Sequence, residues 1–490
     1  MSDLLTTLAG FGPFRVLVVG DFMLDELVHG DASRLSPDAP VPVLTVDRVE
    51  RCGGGASNVA ACLAGLGGLV HCCGVIGGDG DGGHLRRSLE ASGCEVDSLV
   101  IDPDRPTTVK RNLVGLAQHR HPQKMFRVDI ESSAPLSQET DAAIAARIEA
   151  VLPTVDAVCI EDYGKGVCGS SRCQAIISAA RSAGIPVLVD PANTDCYDRY
   201  RGATVMTPNR TEAAAACASM PGAPTDPAEM AAVLLESLDL EAIVITLDRH
   251  GAMLLERGSA PEQVPTRQRD VYDVTGAGDM VLAAITAARA HGVGWRDAVS
   301  LANAAAGLEV ETFGAHPIPL ANIAQEVLRV EEGLVGKVRS LTTLMLELAA
   351  HREAGHRIVL TNGCFDVIHA GHVTYLRDAA DQGDVLVVGV NCDEQVSIMK
   401  GEGRPVYGLS DRMTILSELA CVDYVVSFDT PTAEALIEAV RPDLYVKGGD
   451  YEPAGIAEYP RLCELGIPVE VLAHRPGLGS SDIIDHVRGV

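Results

Sequence analysis

The sequence predicts an α/β chain of two unequal domains, and three observations carry that reading. Short runs of β-branched residues alternate with Ala-rich stretches, the pattern of parallel sheets covered by helices. The 490 residues make room for two to four domains at about 100–200 residues each. A charged, Gly-containing break at residues 331–340 (EEGLVGKVRS) is followed by a fresh strand–loop–helix order from Arg357.

Taken in order, Val16–Gly20, Ala157–Ile160, Val187–Asp190, Ala242–Thr246 and Ile358–Thr361 read as buried strands. Ser57–Leu66, Ser170–Ala183 and Asp279–His291 read as helices, being Ala-rich and bounded by Ser, Asp or Gly. Leu341–Ala354 reads as an entry helix to the second block. The expected division is a first domain over 1–330, a linker with the entry helix over 331–355, and a second domain over 356–490. GGDGDGG at 77–83 reads as a turn with exposed carboxylates, since its oxygen spacing does not fit an EF-hand.

Acidic residues outnumber basic ones 67 to 39, a formal charge of −28. That excess argues against nucleic acid or an anionic membrane as the main partner, because the averaged field of the protein repels both. Only six basic residues are lysines, so a lysine inside a motif is informative. Fourteen scattered cysteines form no Cys-x-x-Cys pair and no zinc-spaced cluster. No stretch reaches the about 20 apolar residues that cross a bilayer, and the N-terminus lacks a signal-peptide pattern. A reducing cytoplasm is the expected location, with no membrane insertion.

Two motifs carry chemistry. Asp273-Val-Thr-Gly-Ala-Gly-Asp279 opens an Ala-rich helix. Small residues let the N–H groups of Gly276, Ala277 and Gly278 converge, and the helix start adds partial positive charge, which makes an anion hole. Asp279 beside it is placed either to take a proton from a substrate hydroxyl or simply to cap the helix. Gly53-Gly-Gly-Ala-Ser-Asn58 also opens a helix, and its glycines suit close approach to a polyhydroxylated ligand, with Asn58 either bonding a sugar hydroxyl or capping. In the second block, Thr361-Asn-Gly-Cys-Phe-Asp-Val-Ile-His369-Ala-Gly-His372 puts two imidazoles three residues apart on one helical face, donors for a phosphate in transfer. A zinc site competes, without a third ligand at hand.

GGGASNVA (53–60) with DVTGAGD (273–279), supported by GDFMLDE (20–26) and PNRTE (208–212), resembles the signatures of the ribokinase-like carbohydrate kinases. The resemblance implies a three-layer domain with a β lid, Asp279 as base and Gly276, Ala277 and Gly278 as anion hole. It implies further that Asp21, Gly54, Gly55 and Asn58 face the sugar, that Lys110 and Arg111 face a phosphate, and that Thr275, Asn209, Glu212 and Asn303 lie near ATP, with Glu212 at magnesium. The second string resembles the cytidylyltransferase-like nucleotidyltransferases, which implies a smaller Rossmann-like domain. There His369 and His372 would act in transfer, with Thr361, Gly363, Phe365, Gly371, Lys400, Arg404, Lys447, Ser480 and Ser481 around ATP.

The fusion, with RLSPDAPVPV, EDYGKG and VKGGDY, resembles the bifunctional heptose 7-phosphate kinase / heptose 1-phosphate adenylyltransferases. That implies ATP-dependent phosphorylation of the anomeric hydroxyl, then adenylylation to ADP-heptose with release of pyrophosphate, and a separate phosphatase acting between the two steps. It also implies a homodimer through a kinase lid, to which residues 42–52 could contribute strands. Departures from the pattern are Ala192 where Lys is usual, Met280 after the catalytic Asp, and a long basic stretch at 116–127, read as an exposed hairpin in preference to a lid strand pair that binds the 7-phosphate. They leave two other readings open, a different sugar phosphate or nucleotide, and a ligand-sensing protein without catalysis.

Overall fold

The computed structural model describes residues 11–116, 123–194, 196–218, 220, 222–267, 275–311, 317–331, 337–401, 403–449 and 452–472. The chain divides into two compact units, Met1–Ile323 and Ala324–Val490.

The first unit contains thirteen strands among its described residues: β1 (Phe14–Gly20), β2 (Phe22–Leu35), β3 (Pro42–Gly55), β4 (Gly68–Gly77), β5 (Leu99–Asp102), β6 (Thr108–Leu116), β7 (Gln123–Ile130), β8 (Ala157–Glu161), β9 (Val187–Asp190), β10 (Val205–Met206), β11 (Ala242–Thr246), β12 (Ala252–Glu256) and β13 (Glu262–Val264). Nine form one sheet in the order β13-β12-β11-β10-β9-β8-β1-β4-β5, parallel except for β12, which runs antiparallel to both β11 and β13. Both faces of this sheet are covered, so its strands are continuously apolar rather than alternating. Leu17 and Val19 of β1 and Val158 and Ile160 of β8 pack with Ile144, Ile148, Ile176 and Ile177. The helix Ala277–Ala290 packs against both Ala56–Gly65 and Trp295–Glu309, and it and Ala56–Gly65 also pack against central strands of the sheet.

The other four strands form a lid sheet, β3-β2-β6-β7, in which β2 and β6 are parallel and the outer pairs antiparallel. Residues 42–52 lie in β3 and do supply a lid strand. β7 is largely exposed, yet Lys124 on it reaches Thr275 Oγ1 at 3.2 Å, so the basic stretch is more than a free hairpin; residues 117–122 lie outside the described residues. GGDGDGG is not a simple turn. Gly77 ends β4, and Asp79 caps a helix, Gly80–Ala91, accepting from Gly82 N and from Thr107 N and Oγ1. Those donors hold its carboxyl below the ordinary range. The crowded Met280 is accommodated by complete burial.

The second unit has, among its described residues, six parallel strands, β14 (Val338–Arg339), β15 (Ile358–Gly363), β16 (Val385–Asn391), β17 (Tyr424–Phe428), β18 (Leu444–Gly448) and β19 (Val469–Leu472), ordered β14-β17-β16-β15-β18-β19. Leu344 and Leu348 of the entry helix Leu341–Glu353 pack on one face with Ile358, Leu360 and Val387. Leu376, Met413 and Leu416 pack on the other with Val359, Leu386 and Val388. Chain order reverses between β15 and β18, and in open α/β sheets a ligand crevice forms at such a switch point, beyond the carboxyl ends of the strands.

Candidate functional sites

In the first unit the corresponding reversal lies between β1 and β8. Gly276, with φ of 91°, occupies the left-handed region that glycine tolerates and caps the helix Ala277–Ala290. Asp279 is therefore the third residue of the helix and not its cap. The first helical bond is Met280 N to the Gly276 carbonyl at 2.9 Å, so the N–H groups of Ala277, Gly278 and Asp279 lie in the first turn, where a helix leaves its amides for an external acceptor. Asp279 is 5% exposed. Burial pushes its carboxyl up to about 7, and Asp25 adds to this, against a bond from Asn58 and the charge of Lys110.

Asn58 lies inside the helix Ala56–Gly65, whose cap position is Gly55. It does not cap the helix, and its Nδ2 donates to Asp279 Oδ2 at 2.8 Å. Tyr163 OH donates to the other Asp279 oxygen at 3.4 Å, and Lys110 Nζ stands 4.2 Å from the Tyr163 ring centroid. Gly54 is required by contact, since a Cβ there would come within 2.7 Å of the Asp25 carboxylate. Asp21, expected at the sugar, accepts from the N–H groups of Tyr163, Lys165 and Val167. It thereby fixes the loop that carries Tyr163, and burial lifts its pKa to about 6.

Lys110 and Arg111 part company because adjacent strand residues face opposite ways. Lys110 pairs in register with Asp25 near Asp279, whereas Arg111 pairs with the buried Glu26, which Arg51 also meets at 2.8 Å. Lys165 pairs with Glu131 at 2.7 Å. Asn209 and Glu212 bond each other's backbone as a reciprocal cap at 2.9 Å. Asn303 is also diverted, donating to the carbonyls of Val264 and Pro265.

Sequence reasoning missed an acidic cluster. Carboxylate oxygens of Glu161, Asp190 and Asp279 all lie within 4.8 Å of one another. Burial pushes Glu161 and Asp190 well above the ordinary carboxylate range, and neighbouring carboxylates add to it, Asp190 and Asp279 at Glu161 and Glu212 and Asp279 at Asp190. Glu212 contributes repulsion at Asp190, so its carboxylate stands close by. The signal was present in the sequence: Glu161 and Asp190 each end an apolar strand at the carboxyl edge of the sheet. Hard oxygen donors with this surplus of negative charge fit a divalent cation such as magnesium.

At the switch point of the second unit, His369 caps the helix Ala370–Ala380 and His372 occupies its third position, with ring centroids 4.0 Å apart. Gly371 falls between them in the first turn. On the neighbouring strand, Lys447 Nζ donates to Asn362 Oδ1 at 2.8 Å, and Tyr445 OH donates to the same oxygen at 2.5 Å. Burial lowers the Lys447 pKa. The charge of Lys400, at the end of the helix Asp393–Lys400, is felt at Cys364 together with those of Arg412 and Lys447.

Four residues expected at the nucleotide have neighbours inside the protein. The Thr361 hydroxyl bonds Tyr375 OH at 2.6 Å and is fully buried. Phe365 belongs to the apolar core, at φ of 45°, and its ring lies 5.6 Å from His372. Gly363 sits where a Cβ would meet that ring at 3.1 Å. Arg404 pairs with the fully buried Asp366. Arg412, itself fully buried, donates to the carbonyls of Cys364, Tyr407 and Asn391 and so shapes the loop before the histidines. Ser480 and Ser481 lie outside the described residues.

Residues 14–321 match the pfkB family of carbohydrate kinases, and residues 360–484 match the cytidylyltransferase-like family. The fold of the first unit is that of phosphofructokinase-2 from Escherichia coli, with a TM-score of 0.54 at 20% identity over 65% of this chain and 99% of that one. A ribokinase from Arabidopsis thaliana, solved with ribose and ATP, gives a TM-score of 0.50 at 20% identity, over 64% of this chain and 99% of that one. Over the whole length, the Bifunctional protein HldE of Methylobacillus flagellatus is 42% identical, covering 97% of this chain and 96% of that protein. Its counterpart from Vibrio parahaemolyticus is 40% identical, covering 97% of each. A kinase fold and a nucleotidyltransferase fold joined in one order, and matched end to end by such relatives, place this chain in the HldE family of bifunctional enzymes.

Proposed function

We propose that the chain makes ADP-heptose in two separate ATP-dependent steps: the first unit phosphorylates the anomeric hydroxyl of heptose 7-phosphate, and the second adenylylates heptose 1-phosphate with release of pyrophosphate. The observation that carries this reading is the pairing of a buried Asp279 at a helix-start anion hole with a histidine pair at a second helix start. A separate phosphatase removes the 7-phosphate between the steps. The domain assignment we adopt is kinase over 1–330, linker and entry helix over 331–355, and nucleotidyltransferase over 356–490.

In the kinase step Asp279 takes the proton of the anomeric hydroxyl as that oxygen attacks the γ-phosphorus and the bond from the γ-phosphorus to the bridging oxygen breaks, releasing ADP. The N–H groups of residues 277–279 meet the charge that develops on the transferring group. Lys110 offsets charge at the sugar end, and Asn58 and Tyr163 hold the two oxygens of Asp279 in place. Glu161 and Asp190, with Glu212 close by, would hold magnesium, which when bound neutralises phosphate charge. In the second step the sugar phosphate is already an anion, so no strong base is needed. His369 and His372 donate to the α-phosphate, while Lys447 and Lys400 offset charge on the triphosphate.

We further read the enzyme as cytoplasmic, consistent with fourteen cysteines that form no disulfide. Among the described residues no helix is long and apolar enough to cross a membrane. We also read it as a homodimer through the lid sheet, where Val46, Val49 and Phe126 are exposed. The deciding experiment incubates the full chain with ATP, magnesium and heptose 7-phosphate, with and without a 7-phosphate-specific phosphatase, and follows products by mass and phosphorus NMR. Bisphosphate alone, converted to ADP-heptose when the phosphatase is added, is the expected result. Absence of bisphosphate would direct the search to another sugar.

A further inference from the structure

The loop that follows β8, residues 162–168, is where the body of the first unit meets the lid. From the body, Arg199 Nη1 donates to the Cys168 carbonyl at 3.3 Å and Arg172 donates to that of Val167. Asp21, at the crossing from β1 to β2, accepts from the N–H groups of Tyr163 and Lys165, both at 2.9 Å. The other ties come from the segments that carry β6 and β7. Arg105 lies shortly before Thr108, where β6 begins. Its Nη1 donates to the Lys165 carbonyl at 2.6 Å and to the Ser132 carbonyl at 3.2 Å, and its Nη2 donates to the Ala134 carbonyl. Ser132 and Ala134 follow the end of β7 at Ile130, and Glu131 there pairs with Lys165 Nζ at 2.7 Å. The loop and this segment touch, because at Gly166, with φ of 99°, a Cβ would come within 2.9 Å of the Ala134 carbonyl oxygen. At the start of the loop, Tyr163 OH donates to Asp279 Oδ1 at 3.4 Å.

We propose that Arg105 is a positioning residue for the kinase step: it clasps the Tyr163 loop to the segments that lead into β6 and out of β7, so that the lid and the Asp279 carboxylate are set together. A guanidinium offers five N–H donors in a fixed fork, which lets one side chain serve carbonyls of two segments. An ammonium is a compact charge on a flexible stem and has no such fork. Without the clasp, the segment after β7 keeps the Lys165–Glu131 pair, whose partners are 19% and 33% exposed and which contributes little by itself. Arg105 bonds backbone carbonyls and not Asp279, so its effect on the reaction passes through Tyr163.

This inference rests on the reading of Asp279 as the base, and the test separates the two. Kinase and adenylyl-transfer rates of the full chain are measured against pH for Arg105→Met, Tyr163→Phe and the double variant Arg105→Met/Tyr163→Phe. Arg105→Met is expected to lower kinase kcat about tenfold or more, the scale of a small misplacement beside a catalytic group, with KM for ATP within about twofold and adenylyl transfer unchanged. The Tyr163 bond favours the ionised Asp279 carboxylate, so its loss moves the acid limb of kcat to higher pH. Arg105→Met and Tyr163→Phe are expected to move that limb in the same direction, and Arg105→Met is expected to add nothing in the Tyr163→Phe background. The other groups that face Asp279, namely Asp25, Lys110, Glu161, Asp190 and Glu309, are the same in all three variants. A residue that only braces the fold predicts a smaller active fraction with an unmoved limb.

Parental kcat in Arg105→Met, an unmoved acid limb, or losses that multiply in the double variant would overturn the proposal. Circular dichroism and a retained thermal transition report that each variant is folded. If Met is not tolerated, Arg105→Lys, which keeps the charge and lacks the fork, decides through the same cycle. Failure of the underlying reading shows separately, as kinase turnover that survives Asp279→Asn.

Discussion

Replacing Asp279 by Asn changes one oxygen to nitrogen at the centre of the buried acidic cluster, and the structure predicts opposite consequences for activity and stability. Removal of a general base costs about a hundred- to ten-thousandfold in rate, so kinase kcat should fall by at least the lower figure. Adenylyl transfer, which uses the other unit, should not change. Stability should rise, because the Asp279 carboxyl is lifted from 3.8 to about 7, chiefly by burial. A folded-state pKa above the unfolded one means that the native protein binds the extra proton between those values, so stability falls as pH rises through that window and the loss is complete above it. At about 1.4 kcal/mol per pKa unit, the wild-type protein bears on the order of 4 kcal/mol at pH 8 and on the order of 2 kcal/mol at pH 5. Asn bears neither, so the gain in calorimetric stability without magnesium should be larger at pH 8 than at pH 5. Kinase turnover within tenfold of the parent would refute the base assignment, and equal melting temperatures of parent and variant at pH 8 would refute the account of burial.

Other consequences are more local. His372→Ala should remove most adenylyl transfer, by about a hundredfold if the ring serves as a transition-state donor, and leave kinase turnover intact; loss of both rates together would contradict two independent sites. Arg412→Met should destabilise the second unit by about 3–5 kcal/mol in urea unfolding, since it leaves three carbonyls and Asp393 without their buried donor, with no effect on kinase turnover. Wild-type kinase activity should also fall as pH drops below about 7, as Asp279 takes up its proton, a profile read from kcat against pH.

The two-block α/β order and its chemical motifs were legible in the sequence because both follow from short-range rules. Buried parallel strands must be continuously apolar, and the helix Ser170–Ala183 announced itself by composition and by Gly184 in the left-handed conformation just beyond it. The helix-start turn at Gly276–Gly278 and the histidine pair likewise depend on spacing within a single turn of helix. The division of labour among polar residues did not follow from spacing. Arg111, Asn303, Thr361 and Arg404 look like ligand contacts by position in a motif, yet each has a closer partner inside the protein: Glu26, the Val264 carbonyl, Tyr375 and Asp366. Conversely, Glu161 and Asp190 carry no motif of their own and become a site only because β8 and β9 lie side by side in the sheet.

The sequence by itself determined which backbones form strands and helices, where the two helix starts of the candidate sites fall, and which residues could do acid–base chemistry there. Only the tertiary structure decided which of those residues remain available. A polar side chain taken out of water must find a partner, and whether that partner is a ligand or another residue depends on neighbours distant in the chain: 221 residues separate Asn58 from Asp279, and sequence spacing carries no record of such pairings.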